Sequence, residues 1–450
     1  MATGKRTVMF VTYEFPPTGG AGVQRMAKFA RFLPEHGWSP VVLAAEHVAG
    51  RARDESLSEE TRDVTVVRTP ARSVNLWVSR TLAFGRGLRD RVRRQGGESG
   101  TAGAAALSHA ARVSATGRSG RTEQITRLLT IPDFACLWVG PAVRAGVKLG
   151  RRAEAEVVFA SGPPFSALVV GSRVSRRLGI PLVADFRDAW RDNPGNASYP
   201  STWHRNRALA LERSVLGTAV RVTTAHPMAA EIVEMGGPIP TFIPNGFDPA
   251  DLPVWSPRRG GPLVVTFMGT FYGVNDPLPV FKALQQVREG ADEETHDIRL
   301  RIVGTWPSYV ESVAAELGLE GAVEFQPYLP HREALDVLAA SDVGLVVYAD
   351  LPALRVSTPA KLYEYLAIGL PVLFVGPSEG AAPDLVREAR AGLVVRYADQ
   401  SGIAAALAGF ARQKSEGVLG SDLRRAVVAR FDRRLQAEAL ARVLEEATGA

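Results

Sequence analysis

The chain has 450 residues, 46% of them hydrophobic and 22% charged, with a formal net charge of +6. That length and balance exclude a single small domain, a disordered chain and a fibrous one; at roughly 150 residues per domain they allow two or three domains. One cysteine, Cys136, excludes an intrachain disulfide and a cysteine-rich metal site, fits a reducing, cytoplasmic setting, and reads as a buried inert thiol.

At the N-terminus, Val8 to Val11 gives way at once to Thr12 and Glu14. This is a first strand and not a signal peptide. No run approaches the ~20 apolar residues needed to span a bilayer. The basic excess suits a phosphate-bearing ligand, an anionic membrane surface or nucleic acid. No zinc-finger spacing or RNA-binding signature accompanies it, so nucleic acid is not an expected partner.

Thr7 to Tyr13 predicts a strand, followed by a glycine-rich turn from Phe15 to Gly22. Val23, Met26, Ala27, Ala30 and Leu33 recur at helical spacing, Gly37 ends that helix, and Pro40 to Ala45 predicts a second strand, the first half of a βαβ unit. Residues 86–127, rich in Arg, Gly, Ala and Ser, predict a mobile insertion. Within Val74 to Arg94, Val74, Val78, Leu82, Leu88 and Val92 alternate with arginines. That stretch is either a basic amphipathic helix on the inner face of the plasma membrane or a solvated charged segment.

Alternation then resumes with strands at Glu156 to Ala160, Pro181 to Phe186, Val220 to Thr224 and Thr241 to Pro244. Helices are predicted at Ser166 to Leu178, Trp203 to Leu216 and Pro227 to Met235. Residues 249–262, rich in Pro, predict a linker between a first domain (1–248) and a second (263–430). The second series has strands at Leu263 to Met268, Arg299 to Val303, Val323 to Pro327, Val343 to Tyr348 and Pro371 to Val375. Its helices fall at Leu278 to Glu289, Tyr309 to Leu317, Glu333 to Ala340 and Ala360 to Ile368. Residues 431–450 predict a C-terminal helix, separated by a break near Phe431-Asp432, that packs back on the first domain. Two successive series predict an α/β protein with two doubly wound parallel sheets whose carboxyl-end edges face each other across a ligand cleft.

Five places carry candidate chemistry. Gly19, Gly20 and Gly22 lie between a strand and a helix, where backbone N–H groups can approach an anion; the alternative is a flexible turn. Arg187 and Asp188 follow the strand ending at Phe186. Asp188 is placed to orient an acceptor hydroxyl or take its proton and Arg187 to pair with an anion, or the two form a structural ion pair. Pro244-Asn245-Gly246 is an interdomain turn or a ligand contact. Gly269-Thr270-Phe271-Tyr272-Gly273 follows the first strand of the second domain and offers N–H groups to a phosphate. The most specific string runs from Arg355 to Val372. There Thr358 is expected as N-cap and Pro359 as first helical residue, so that free N–H groups with Arg355 and Lys361 bind a diphosphate. Glu364, a little over one turn further on, can bind two ribose hydroxyls.

Pro359-Ala-Lys-Leu-Tyr-Glu-Tyr-Leu-Ala-Ile-Gly-Leu-Pro-Val372 resembles the donor-site helix of glycosyltransferase family 4, the retaining enzymes of GT-B architecture. The resemblance extends to Gly19 to Gly22, Pro244-Asn245-Gly246, Gly269 and Val303-Gly304, and covers most of the chain outside residues 86–127. It implies a metal-independent hexosyltransferase with no cofactor. A nucleoside-diphosphate sugar would occupy the second domain and a sugar or lipid-linked acceptor the first, in cell-surface polysaccharide or glycoconjugate synthesis. Carried over, Glu364 holds the ribose and Arg355, Lys361, Thr358 and Pro359 the diphosphate, approached by Gly19, Gly20 and Gly269. Asn245, Gly304, Ser378, Glu379 and Gly380 line the rim. Three departures stand out: Val356 where the family often has a second glutamate, Gly273 to Asp276 where many members carry an Arg–Lys pair, and Arg187 where many carry His. The other functions in view are a nucleotide-sugar epimerase of the same architecture and a nucleotide-sugar-binding protein without catalysis.

Overall fold

The computed structural model describes residues 6–46, 52–71, 128–191, 199–271, 275–290, 297–420 and 422–449. The basic segment Val74 to Arg94, the insertion 86–127 and the loop residues Tyr272, Gly273 and Val274 lie outside them. The chain divides into two units: Met1–Arg53 with Leu57–Ile243 and Glu438–Ala450, and Asp54–Ser56 with Pro244–Ala437.

Unit 1 holds strands β1 (Arg6–Val11), β2 (Trp38–Ala45), β3 (Thr65–Thr69), β4 (Val157–Gly162), β5 (Leu182–Phe186), β6 (Ala219–Thr224) and β7 (Thr241–Phe242). They pair in parallel in the order β3-β2-β1-β4-β5-β6-β7. Unit 2 holds β8 (Leu263–Thr270), β9 (Ile298–Thr305), β10 (Val323–Pro327), β11 (Val343–Val347), β12 (Val372–Gly376) and β13 (Gly392–Arg396), again all parallel, in the order β10-β9-β8-β11-β12-β13. The order reverses between β1 and β4 and between β8 and β11. Such switch points open a crevice at the carboxyl ends of the strands.

Helices cover both faces, so central strands are mostly apolar; every residue of β4, β5, β11 and β12 is buried, Ser161 of β4 and Asp185 of β5 included. The helix Val139–Arg152 shows how closely the layers meet. A Cβ on Gly146 would lie 2.8 Å from Val174 and one on Gly150 2.4 Å from Leu178, so glycine lets this helix press against Ser166–Leu178. The first helix, Ala21–Phe32, buries the expected Val23, Met26, Ala27 and Ala30, and also Arg25 and Lys28. Leu33 begins a separate 3-10 turn that ends at Gly37, φ 80°. The C-terminal segment breaks where expected: one helix spans Arg425–Ala429 and the next Arg433–Thr448. From Glu438 onward the last helix belongs to unit 1, where Glu446 pairs with Arg221 at 3.2 Å.

The sequence reading places no element at β3, β13 or the helices Val139–Arg152, Ala381–Glu388 and Gln400–Glu416. Both strands are short sheet edges. Among the described residues no helix is long and apolar enough to cross a membrane.

Candidate functional site

The site in unit 2 is built around the helix Ala360–Ile368. Its N-cap is Pro359, φ −64° and ψ 137°, and not Thr358, which is buried one residue earlier. Proline's fixed φ suits that extended position; the Leu362 N–H donates to the Pro359 carbonyl at 3.0 Å, and with no side-chain oxygen at the cap the N–H groups of Ala360 and Lys361 keep their capacity for an anion. Gly369, φ 92°, closes the other end: its N–H donates to Leu366 O and that of Leu370 to Tyr365 O, a Schellman arrangement. The helix is fixed to the sheet by Tyr365, whose hydroxyl accepts from the Met268 N–H at 3.0 Å. Its ring fills the space that a Cβ on Gly344 would occupy.

Lys361 projects onto the end of β8. Its Nζ lies 3.7 Å from the centre of the Phe267 ring, which is stacked on Phe271. Gly269, φ 131°, leaves room for it, since a Cβ there would stand 2.8 Å from Nζ. Among the described residues no carboxylate lies within ion-pair distance of this ammonium. Burial pushes its pKa down to about 7, against the pull of the Glu364 charge. An ammonium held without a counter-ion at a helix N-terminus and a strand's carboxyl end is chemistry for an anion.

Glu364 is buried and its Oε1 lies 2.7 Å from His331 Nε2. An ionised carboxylate only accepts, so the imidazole donates through Nε2. His331 opens the helix His331–Ala339 after β10, and its backbone N–H donates to Asp54 Oδ2 at 2.9 Å. Arg355 ends the short helix Pro352–Arg355 and pairs with Asp350 at 3.2 Å, half exposed. Such a surface pair is weak and releases the guanidinium at little cost. Gly380, φ 124°, lies against the Arg355 backbone, where a Cβ would meet the carbonyl oxygen at 2.4 Å. This brings Ser378-Glu379-Gly380 beside Arg355. Gly304 lies against Gly269 in the same way, its Cβ position 2.0 Å from Gly269 O. Asn275 accepts from the Ala349 N–H at 3.0 Å, joining the loops after β8 and β11. Gly246 lies against the Phe431 carbonyl and Gln436, and Phe247 pairs with the C-terminal segment, so the Asn245-Gly246 turn has a packing reason for its glycine.

In unit 1 the corresponding edge is occupied by its own contacts. Asp185 accepts from Arg25 at 2.9 and 3.2 Å, Ser161 at 2.7 Å and Thr223 at 2.8 Å, all buried. Burial opposes its ionisation, but the Arg25 guanidinium and these hydrogen bonds outweigh it and hold the carboxyl below its ordinary range. Arg187 donates to the Pro163 carbonyl and lies against Gly22, whose Cβ position is 2.0 Å from Nη1. Burial lowers its pKa, and the charges of Asp188, Asp185 and Glu14 oppose that. The Gly19 N–H donates to Ala52 O at 3.0 Å and is thus already used. Gly20, φ 124°, is the N-cap of Ala21–Phe32 and carries no side-chain cap. Asp188 remains half exposed, with Oδ1 3.7 Å from Nε2 of the buried His226. Trp190 is core, stacked on Phe165 at 4.7 Å.

Unit 2 therefore brings Arg355, Lys361, Glu364, Gly269, Gly304 and Gly380 to one edge of one sheet, while Gly19, Gly20, Arg187 and Asp188 belong to unit 1. His331, Asp54 and His226 are the residues that sequence reasoning passes over. A Pro-His step at a helix start just beyond a strand's carboxyl end was the available signal for His331.

Residues 262–413 match the family described as Glycosyl transferases group 1. The chain is 27% identical over 257 residues to a D-inositol 3-phosphate glycosyltransferase of Acidothermus cellulolyticus, a match spanning 53% of this chain and only 56% of that protein's length. Among solved structures it is similar to the sucrose-phosphate synthase of Thermosynechococcus elongatus, with TM-score 0.67, 14% identity and 99% of both chains covered. It is also similar to a putative UDP-N-acetylglucosamine 2-epimerase from Listeria monocytogenes, with TM-score 0.53, 11% identity and 98% and 96% coverage. At these identities the likeness is one of fold: two parallel α/β sheets in the GT-B arrangement over the whole chain. A transferase and an epimerase share that fold, so function rests on the site.

Proposed function

We propose that this chain is a retaining glycosyltransferase of the family 4 type. Unit 2 binds a nucleoside-diphosphate sugar, and the sugar passes to an acceptor hydroxyl bound by unit 1. The observation that carries this reading is the pairing of a buried ammonium, Lys361, that has no carboxylate within ion-pair distance among the described residues, with a buried carboxylate, Glu364, on one helix whose N-terminus has no side-chain cap. A diphosphate and a ribose need those two groups. The group 1 family match covers the same residues and supports it.

Lys361, Arg355 and the helix N–H groups offset the charge that builds on the leaving diphosphate, the main electrostatic task of such a transfer. These cations fill the role a metal ion plays elsewhere, so the reaction proceeds in chelator. The diphosphate leaves on the face that the acceptor enters. Asp188, half exposed beside His226, orients the acceptor hydroxyl. The acceptor is a sugar or lipid-linked glycan of cell-surface polysaccharide synthesis, met at the inner face of the membrane.

The test is thermal stabilisation by UDP, GDP, ADP and dTDP, free and as sugar conjugates. A ligand bound only by the folded state raises the melting temperature. No shift at millimolar concentration would end the proposal. Where a donor binds, release of nucleoside diphosphate that depends on added acceptor identifies a transferase. Conversion of the sugar without acceptor identifies an epimerase, and binding without either a non-catalytic protein.

A further inference from the structure

We propose that His331 is a positioning residue for donor recognition: its imidazole holds the Glu364 carboxylate in the orientation that receives the ribose, so the two residues act as one unit. The inference rests on the donor-site reading above.

Glutamate on a helix has three rotatable side-chain bonds, and a carboxylate free to turn must be ordered when ligand binds. Glu364 is ordered beforehand, with Oε1 2.7 Å from His331 Nε2 and both side chains mostly buried. Oε2 accepts from no protein group among the described residues and is the oxygen left for a ligand hydroxyl. Oε1 keeps a second lone pair for the neighbouring one.

His331 is itself anchored from behind. Its backbone N–H donates to Asp54 Oδ2 at 2.9 Å, and Asp54 Oδ1 accepts from Ser56 N at 3.1 Å and Ser56 Oγ at 2.5 Å. The hydrogen bond to a charged acceptor sets the imidazole proton on Nε2. A chain of contacts thus runs from a buried aspartate through the start of one helix to the carboxylate on another.

The experiment is calorimetric titration of the full chain with UDP, GDP and ADP, each against its 2′,3′-dideoxy counterpart. The dideoxy forms keep base and diphosphate and lack the hydroxyls that Glu364 receives. The wild type is expected to prefer the ribose form of the base it binds by at least about tenfold, typical of lost hydrogen bonds to a charged group. Glu364→Ala brings that ratio close to one. His331→Phe does the same by weakening the ribose form alone, and His331→Gln restores the ratio, because its Nε2 sits as many bonds from the backbone as the imidazole Nε2.

A His331→Phe protein that keeps the wild-type ratio, or loses affinity equally for both forms, overturns the inference while the donor site stands. A wild type that does not distinguish the two forms, or that binds none of the three nucleotides, removes the ribose from Glu364 and the inference with it. Should His331→Phe fail to fold, His331→Asn, too short to reach, must show the same collapse of the ratio.

Discussion

The two sheets share a strand order through their sixth strand, yet their carboxyl-end edges hold charge in opposite ways. In unit 1 most of the groups that look like chemistry in the sequence are engaged by the protein itself, the exceptions being the buried Arg187 Nε, which has no partner among the described residues, and the half-exposed Asp188. Asp185 is held by Arg25, Ser161 and Thr223; Arg187 donates to a carbonyl; the Gly19 N–H is bonded to Ala52. In unit 2 the corresponding groups keep unused capacity: among the described residues Lys361 has no carboxylate within ion-pair distance and Glu364 has one oxygen unengaged, and the helix behind Pro359 has no side-chain cap. A charge at a strand end is therefore not by itself a sign of a site. What marks the unit 2 edge is that a cation, a carboxylate oxygen and helix N–H groups with unfilled valence stand together on one helix.

The contrast can be broken first at Asp185. Asp185→Ala takes the buried carboxylate from Arg25, Ser161 and Thr223, and its expected cost is about 3–5 kcal/mol in urea unfolding, the usual result of removing one partner of a buried pair. The native carboxyl is held below its ordinary pKa, so its stabilising contribution is present above that ordinary value and is lost as pH falls through the folded one. A loss under about 1 kcal/mol would mean that the unit 1 edge is not a structural network. Glu364→Ala is next in size and differs in kind. It is expected to weaken nucleotide binding by about 1.5–3 kcal/mol, as for a lost charged hydrogen bond, with little change in unfolding. Unchanged affinity by calorimetry would put the ribose elsewhere.

The parts of this fold that were legible in the sequence are those with strong local signals. The helix Ala360–Ile368 has its Pro-led start and its Gly369 stop, and the buried strand β12 is a run of apolar residues bounded by turn residues. Where local and tertiary preferences conflict, the reading stops. Val139–Arg152 carries Gly146 and Gly150, poor helix formers, because the neighbouring helix needs the space. Edge strands β3 and β13 lack the buried run that marks their neighbours. The site was legible where one helix carries it, at Lys361 and Glu364. It was not legible at His331, which reaches Glu364 across a fold connection of 33 residues, nor at Arg25, whose burial beside Asp185 spans 160. Long-range pairing leaves no periodicity to read.

The effect that is smallest per pH unit, and that separates the two edges most finely, is the pH dependence of Lys361. Burial lowers its pKa from 10.5 to about 7. Below that value the ammonium is charged and ready for a diphosphate. Above it the free protein has lost a proton that the bound diphosphate requires back, so nucleotide affinity falls by up to tenfold per pH unit, about 1.4 kcal/mol. The window from about pH 7 to about pH 9 isolates this group, since a phosphate's second ionisation, near pH 6, is already complete. Stability runs the other way. The unfolded chain binds the Lys361 proton more tightly than the folded one, so this group makes the free protein more stable as pH rises from about 7 towards 10.5. Affinity and stability should therefore change in opposite directions across that window, and Lys361→Met should flatten both. The helix N–H groups, which do not titrate, keep the residual affinity level. Affinity and melting temperature that fall together with rising pH, and do so equally in Lys361→Met, would show that the ammonium at the end of β8 is not the group that meets the diphosphate.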